Sequence, residues 1–402
     1  MKIRDVAGDF AWVLPYAYLV ATFWFVTDDS CISFRYALNL AAGDGLRFNV
    51  GESPPVEGYS NLLWVLFAAA LAKVGVFPIP AVLAVSVACG AALIHRVRRR
   101  LVDPLGFAPS TARLVAFGLA AYPPFAVWST GGLETVPYAL LAFLVFDRLF
   151  LSERIRAVPV AVTMVLLLGI RTEGFAWCFL ALGLAAVFRR DPRDRRGLVA
   201  SAAVFLLAFA ALTAWRGSYH GGFLSGPTQA KTELDVRAFA TGARYVFSHG
   251  LAFVTPLLLP LALVAGLRRG PARIWVPAAA FCLVPLAGAV AAGGDFMTMG
   301  RFLVPACAFA ALFGAAWLAA LPGAAARWTA GAALIAVALL PAANRHLIPE
   351  SVRERFLFRH TMEAFSSEYE YWRHQRDNYF LWRAKGLAFR DYLGERPFAT
   401  PH

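Results

Sequence analysis

Long apolar stretches alternate with short polar ones along most of the chain. The first apolar run covers residues 10–26. It is followed by runs at 62–76, 80–94, 114–127, 136–150, 158–170, 175–188, 198–215, 251–267, 274–292, 302–321 and 328–340. Many are shorter than the ~20 residues of an ideal crossing helix, so some crossings take in flanking residues. Lipid offers no hydrogen-bond partner, so these backbones are expected to be helical. The pattern predicts an all-α polytopic membrane protein of about eleven spans, with the lipid bilayer as its surroundings.

One polar segment, residues 27–61, separates the first two runs. It opens on Asp28-Asp29. Phe34, Ala37, Leu38 and Ala41 then fall at i, i+3, i+4 and i+7, the spacing of an amphipathic helix. Gly43-Asp44-Gly45 ends that helix with residues that tolerate left-handed backbone. Glu52, a Pro54-Pro55 turn and Glu57-Gly58-Tyr59-Ser60-Asn61 follow, and the next apolar run starts at once. From 345 to 402 the chain turns polar, charged and aromatic. Residues 1–344 are therefore read as a membrane domain and 345–402 as a small extracytoplasmic tail of helices on the membrane or on the core. Trp372, Tyr379, Phe380 and Trp382 suit an interface there.

Composition agrees with the pattern: 59% of residues are hydrophobic, 16% are charged, and mean hydropathy is +0.59. Soluble domains lie nearer one half and one quarter. The net charge of +13 is almost all arginine, with lysine only at Lys2, Lys73, Lys231 and Lys385. Positive-inside loops account for it. Nucleic-acid binding would want a basic soluble face, and the sequence has none. Of the five cysteines, all but Cys31 lie in apolar runs and no CxxC occurs, which fits small buried hydrophobes rather than disulfides or a metal cluster. Lys2 and Arg4 precede the first run without a small-x-small cleavage site after it, so it reads as an uncleaved helix.

Basic clusters at 95–100, 148–156, 189–196 and 268–273 are expected on the cytoplasmic side. That leaves 131–134, 171–174, 217–237, 293–301 and the tail on the opposite face, with Asp28-Asp29. A strict count of crossings from a cytoplasmic N-terminus puts 95–100 on the wrong side. Either one piece of 62–94 does not cross, or one basic cluster breaks the rule. The break Phe77-Pro78-Ile79-Pro80 is compatible with a non-crossing piece.

Asp28, Asp29, Arg35, Glu57, Glu134, Arg171, Glu173, His220, Lys231, Asp295 and Arg301 share the predicted extracytoplasmic face. Carboxylates and cations beside a bilayer suit transfer from a lipid-phosphate sugar. A carboxylate serves as general base for an acceptor hydroxyl, and cations stabilise the phosphate that leaves. Each residue also has a plainer role. Asp28 or Asp29 would cap the loop helix. Glu134 and Glu173 would cap later ones, and Arg171 would pair with Glu173. Glu57 fits a turn, His220 an ordinary loop, and Lys231 the lipid headgroups. The adjacent acids could hold Mg²⁺ or Mn²⁺, but no third ligand falls at a supporting spacing, so neither metal nor cofactor is expected.

The stretch TDDSCISFRYALNLAAGDGLRFNVGESPPVEGYSNLLW resembles the first extracytoplasmic loop of the C-type (GT-C) integral-membrane glycosyltransferases. It is most similar to the actinobacterial branch that adds terminal arabinofuranose to cell-wall arabinan. Cys31 stands where that branch has tyrosine or phenylalanine. Gly131-Gly132-Leu133-Glu134-Thr135, Arg171-Thr172-Glu173-Gly174, Gly293-Gly294-Asp295-Phe296-Met297 and Arg301-Phe302-Leu303-Val304-Pro305 add to the likeness. Tyr219, Pro227, Thr228, Ala230 and Lys231 look like a divergent form of a further segment, with Gln229 in place of an aromatic. The family's larger C-terminal periplasmic region is mostly missing.

The resemblance implies a GT-C bundle in a bacterial plasma membrane, a decaprenyl-type polyprenyl-phosphate sugar donor and a cell-envelope glycan acceptor. It implies a base from Asp28-Asp29, with Asp28 preferred and Asp29 supporting or binding sugar hydroxyls. Tyr59 and Asn61 join the substrate-binding set through the same loop. Two other readings are a transporter or flippase for a polyprenyl-linked sugar, and a non-catalytic relative that organises envelope machinery. A transporter would want acids or broken helices near midplane, whereas most charges here sit at span ends.

Overall fold

The structure, a computed structural model, describes residues 10–223, 226, 236–253, 259–352 and 367–394. Among these residues every regular element is helical. They are α1 Val13–Thr22, α2 Asp28–Ala42, α3 Leu62–Lys73, α4 Pro78–Val102, α5 Pro109–Ala120, α6 Pro123–Thr130, α7 Thr135–Phe146, α8 Ala157–Ile170, α9 Gly174–Phe188, α10 Pro192–His220, α11 Val236–Phe253, α12 Leu259–Arg269, α13 Ala272–Ala291, α14 Cys307–Ala320, α15 Gly323–Leu339 and α16 Glu368–Gly394. A π turn, Asp147–Leu151, follows α7, and a 3₁₀ turn, Arg301–Ala306, leads into α14. Prolines open α4, α5, α6 and α10, where the missing N–H costs nothing.

Among the described residues, five helices are long and apolar enough to cross a membrane: Pro78–Val102, Pro192–His220, Ala272–Ala291, Arg301–Ala320 and Gly323–Ala343. Val13–Thr22, Leu62–Lys73, Ala157–Ile170 and Gly174–Phe188 are apolar but shorter. The protein is a helical membrane protein, and by length and composition five of the described helices suffice to span the bilayer. The run at 114–127 is not one helix. It divides at Tyr122, because the prolines at 123 and 124 cannot continue α5 and instead start α6.

The helix α7 is the central post. Thr135, Val136, Tyr138, Ala139, Ala142, Phe143, Val145 and Phe146 are all buried on it. Rings from α7, α9, α13 and α14 pack around it, with centroids 5.4 Å apart for Phe146 and Phe309 and 5.1 Å for Trp177 and Phe281. Glu134 stands at one end of α7 and Asp147 at the other. The twelve residues between them span about 18 Å at 1.5 Å per residue.

The Asp147 end gathers the basic clusters. Asp147 accepts from Arg96 Nε at 2.7 Å and Arg100 Nε at 2.5 Å. Asp194 pairs with Arg189 at 2.8 Å and accepts the Ile155 N–H at 2.9 Å. Arg269 lies over the ring of Phe107, just beyond α4. Clusters far apart in sequence thus share one end of the bundle, as the sequence predicts.

The two helices of 62–94 differ in length. With twelve residues, α3 is about 18 Å long, short of the ~30 Å hydrocarbon core. It runs beside α2 in the same direction, with Ser33 bonded to Asn61 near one end and Lys73 Nζ 3.2 Å from Ala41 O at the other. The helix that joins the two ends of the bundle is α4. Of the two helices in 62–94, only α4 is long enough to cross a membrane.

The loop helix forms as expected and stops at Gly43, whose φ of 101° is left-handed. Its buried face differs from the expected one. Ser30, Ser33, Phe34, Tyr36 and Ala37 are buried, whereas Leu38 is 46% exposed. The polar serines turn inward because Asn61 and the Thr27 carbonyl satisfy them there.

The C-terminal helix α16 packs on the core. Trp372, expected at an interface, is 1% exposed, its ring 4.7 Å from that of Phe23. Trp382 and Phe380 remain exposed.

Candidate active site

At the Glu134 end of α7, residues from five separate segments meet. The centre is Arg301, on the first residue of the 3₁₀ turn. Its Nε and Nη2 donate to Asp295 Oδ2 and Oδ1 at 2.7 and 2.9 Å, a two-bond fork. Its Nη1 reaches Asp29 Oδ2 at 3.4 Å. The guanidinium also lies over Trp128 and Phe302. Asp295 and Arg301 are buried, and the Asp29 side chain is 31% exposed.

The second cluster adjoins the first across the Phe302 ring, which Arg171 also faces. Arg171 Nη1 donates to Glu134 Oε1 at 2.6 Å, and its Nη2 donates to Glu173 Oε1 at 3.0 Å. The other Glu134 oxygen accepts from Asn61 Nδ2 at 2.6 Å. Asn61 in turn exchanges bonds with Ser33 on α2. The GGLE and RTEG segments and the first loop are thereby tied into one network.

The adjacent aspartates have different surroundings. Asp28 is exposed at the start of α2. Its Oδ1 accepts the Asp29 N–H at 2.9 Å and the Thr27 hydroxyl at 3.1 Å. Thr27, not Asp28, is the N-cap residue and makes no side-chain cap bond; Asp28 lies in the first turn, where the positive helix terminus favours a carboxylate. No bond occupies Asp28 Oδ2 among the described residues. Burial pushes the Asp29 carboxyl above its ordinary range; Arg301 opposes the shift, and Asp28 and Asp295 add to it.

A third group stitches the loop to the end of α10. Glu57 Oε1 accepts from Arg216 Nε at 3.0 Å, with both residues buried. Arg216 Nη2 donates to Thr172 Oγ1 at 2.9 Å, beside the RTEG segment. His220 Nδ1 lies 2.7 Å from Pro55 O, which sets that nitrogen as the donor. Its Nε2 then accepts from Tyr59 OH at 3.1 Å. His220 and Tyr59 thus brace the loop. Gly226 approaches the same strut, since a Cβ there would meet Glu57 O at 2.5 Å.

Arg35 is not drawn into these clusters. It donates to Phe48 O at 2.7 Å and lies over the Phe48 ring, closing the loop on itself. Lys231, with Pro227, Thr228, Gln229 and Ala230, lies outside the described residues. Sequence reasoning passed over Arg216, which follows directly on the apolar run ending at Trp215. A lone arginine at the end of such a run, facing a segment that carries Glu57, was the available signal. It also passed over Ser33 and Glu368, whose roles depend on contacts distant in sequence.

An apolar cavity of about 550 Å³ lies behind the Arg301 turn. Leu303 and Ala306 of that turn form part of its wall, and small residues such as Gly118, Ala310, Gly314 and Gly331 widen it. Its polar patch is Tyr122 and His249, bonded at 2.9 Å. Its size falls within the roughly 300–1,000 Å³ of ligand sites. Among the described residues no group of three or more His, Cys, Asp or Glu could hold a metal ion.

No protein-family model matches the chain, and neither a curated protein nor a solved structure matches it. The site itself therefore carries the functional argument.

Proposed function

We propose that this protein is an inverting glycosyltransferase that moves a sugar from a polyprenyl-phosphate donor to a cell-envelope glycan at the extracytoplasmic face. Arabinofuranose is the sugar that the resemblance of the first loop implies. The observation that carries the reading is the meeting of Asp29, Asp295 and Arg301 beside Glu134 and Arg171, at one end of an apolar helical bundle.

The chemistry follows from these positions. Asp28, exposed and with one oxygen open, accepts the proton of the acceptor hydroxyl. The hydroxyl oxygen bonds to the anomeric carbon as the bond from that carbon to the phosphate oxygen breaks. The electron pair leaves with the polyprenyl phosphate. Asp29 binds sugar hydroxyls. At 3.4 Å the Arg301 contact with Asp29 is the longest of the three, so a phosphate oxygen competes for Arg301 best there. A cation released to the leaving phosphate stabilises the transition state more than the bound donor. The apolar cavity, sharing the Arg301 turn as a wall, takes the isoprenoid chain.

The test is transfer in nanodiscs from a synthetic short-chain polyprenyl-phosphate arabinofuranose to an arabinan fragment. The expected result is product with inverted anomeric configuration. Failure to form any glycosidic product across polyprenyl-phosphate pentose and hexose donors overturns the reading. One observation favours a non-catalytic role instead: Arg171 and Arg301 are already paired with acids.

A further inference from the structure

The segment that carries Asp295 and Arg301 has a strained backbone. Gly293, Gly294, Met299 and Gly300 all have left-handed backbone, with φ of 74°, 88°, 56° and 58°. Met299 pays for that conformation because it has a Cβ. The consecutive pair Met299-Gly300 turns the chain so that Arg301 folds back on Asp295. Gly300 also packs directly against the His249 ring, where a Cβ would collide. Such a turn persists only when its surroundings over-determine it.

One helix, about seventy residues further along the chain, supplies most of those surroundings. Glu368, the first residue of α16, accepts the Met299 N–H at 2.6 Å on Oε2. Thr298 Oγ1 donates to Glu368 O at 2.8 Å and lies 3.2 Å from the carboxylate. Gln375 Oε1 accepts the Thr298 N–H at 3.3 Å, and Tyr371 OH donates to Phe296 O. The far side of the segment is held by Trp128 Nε1, which donates to Thr298 O at 3.1 Å. The start of α16 is itself fixed. Ser367 Oγ accepts the Glu370 N–H at 3.1 Å as an N-cap and donates to Asn344 Oδ1 at 2.6 Å. Burial raises the proton affinity of Glu368, and the Met299 and Thr298 donors oppose that rise.

We propose that Glu368 is a positioning residue: its carboxylate, on the Met299 N–H, locks the 295–301 segment so that Arg301 stays in register with both Asp295 and Asp29. The tail helix is thereby part of the site's framework. Glu368 touches no reacting atom in this scheme; it acts through Arg301. Only the turnover arm of the test rests on the transferase reading.

The experiment compares Glu368→Ala, Glu368→Gln and Gln375→Ala in detergent, by hydrogen exchange and by turnover. Glutamine keeps a carbonyl acceptor for Met299 and should rescue; alanine has none. Expected is faster amide exchange across 293–303 and at the start of α2 in the alanine variant, near-native protection in the glutamine variant, and a smaller loss centred on the Thr298 amide in Gln375→Ala. Turnover of Glu368→Ala should fall about 10²-fold, as for misplaced catalytic groups, with donor KM little changed. Native exchange at 293–303 in Glu368→Ala overturns the proposal. So does native turnover despite lost protection, or a glutamine variant as impaired as alanine. If Glu368→Ala does not fold, Glu368→Asp, whose shorter side chain draws the carboxylate back from the Met299 N–H, takes its place with the same expected losses. If the wild type transfers no sugar, the transferase reading fails alone and exchange still decides the lock.

Discussion

Arg216 and Glu57 meet at 3.0 Å with side chains only 4% and 3% exposed, joining the end of α10 to the first loop. The pair is buried enough that removing one partner leaves a charge with nothing to balance it. Arg216→Ala should therefore destabilise the protein by about 3–5 kcal/mol, whereas replacing both residues by methionine should cost much less. Thermal unfolding in detergent checks this. Equal losses in the single and double variants would mean that the pair does not act as a unit.

The two aspartates separate by function. Asp28→Asn should lower sugar transfer by roughly 10²–10⁴-fold, the usual cost of losing a general base, with unfolding temperature nearly unchanged. Asp29→Asn should weaken donor binding through lost contacts to the sugar hydroxyls, with a smaller effect on turnover. Initial rates over a range of donor concentrations separate the two effects. Full activity of the Asp28→Asn variant removes Asp28 as the base.

Asp29 also gives the protein a pH signature. Folding raises its pKa above the ordinary 3.8. The folded chain thus keeps the Asp29 proton at pH values where the unfolded chain has lost it, so this group's contribution to stability declines as pH rises. The decline begins near 3.8 and is complete above the raised folded value. Asp29→Asn cannot ionise there. The unfolding temperature of the variant minus that of the wild type should rise with pH through that window and then level off. A difference that falls with pH would reverse the assigned shift.

The short α3 makes a topological prediction. Cysteines placed at Ser53 and Val76 in a cysteine-free background should react with an impermeant thiol reagent from the same side of the membrane. A cysteine at Asp103, beyond α4, should react only from the other side. Val76 and Asp103 are both exposed, so access does not limit either reaction. Reaction of Val76 and Asp103 from one common side would mean that α3 crosses.

The chain's own pattern was enough to establish an all-helical membrane protein, because lipid forces apolar backbone into helices whatever the tertiary arrangement. The loop helix at 28–42 and its stop at Gly43 were equally legible, since spacing and left-handed backbone are local properties. So was the sharing of one bundle end by the arginine clusters, which a single rule of sidedness places together. Pairing was not legible. That Arg301 takes Asp295 and reaches Asp29, that Arg171 bridges Glu134 and Glu173, and that Arg35 turns away to Phe48 depend on which helix ends meet. Hydrophobic periodicity tells which face of a helix is apolar, and the buried Ser33 on α2 already exceeds what it can say, because its partner Asn61 comes from another segment. The role of Glu368 lay furthest from view. A carboxylate opening a polar helix looks like a cap by sequence, and only the fold brings it onto the Met299 N–H, where a strained turn needs an acceptor.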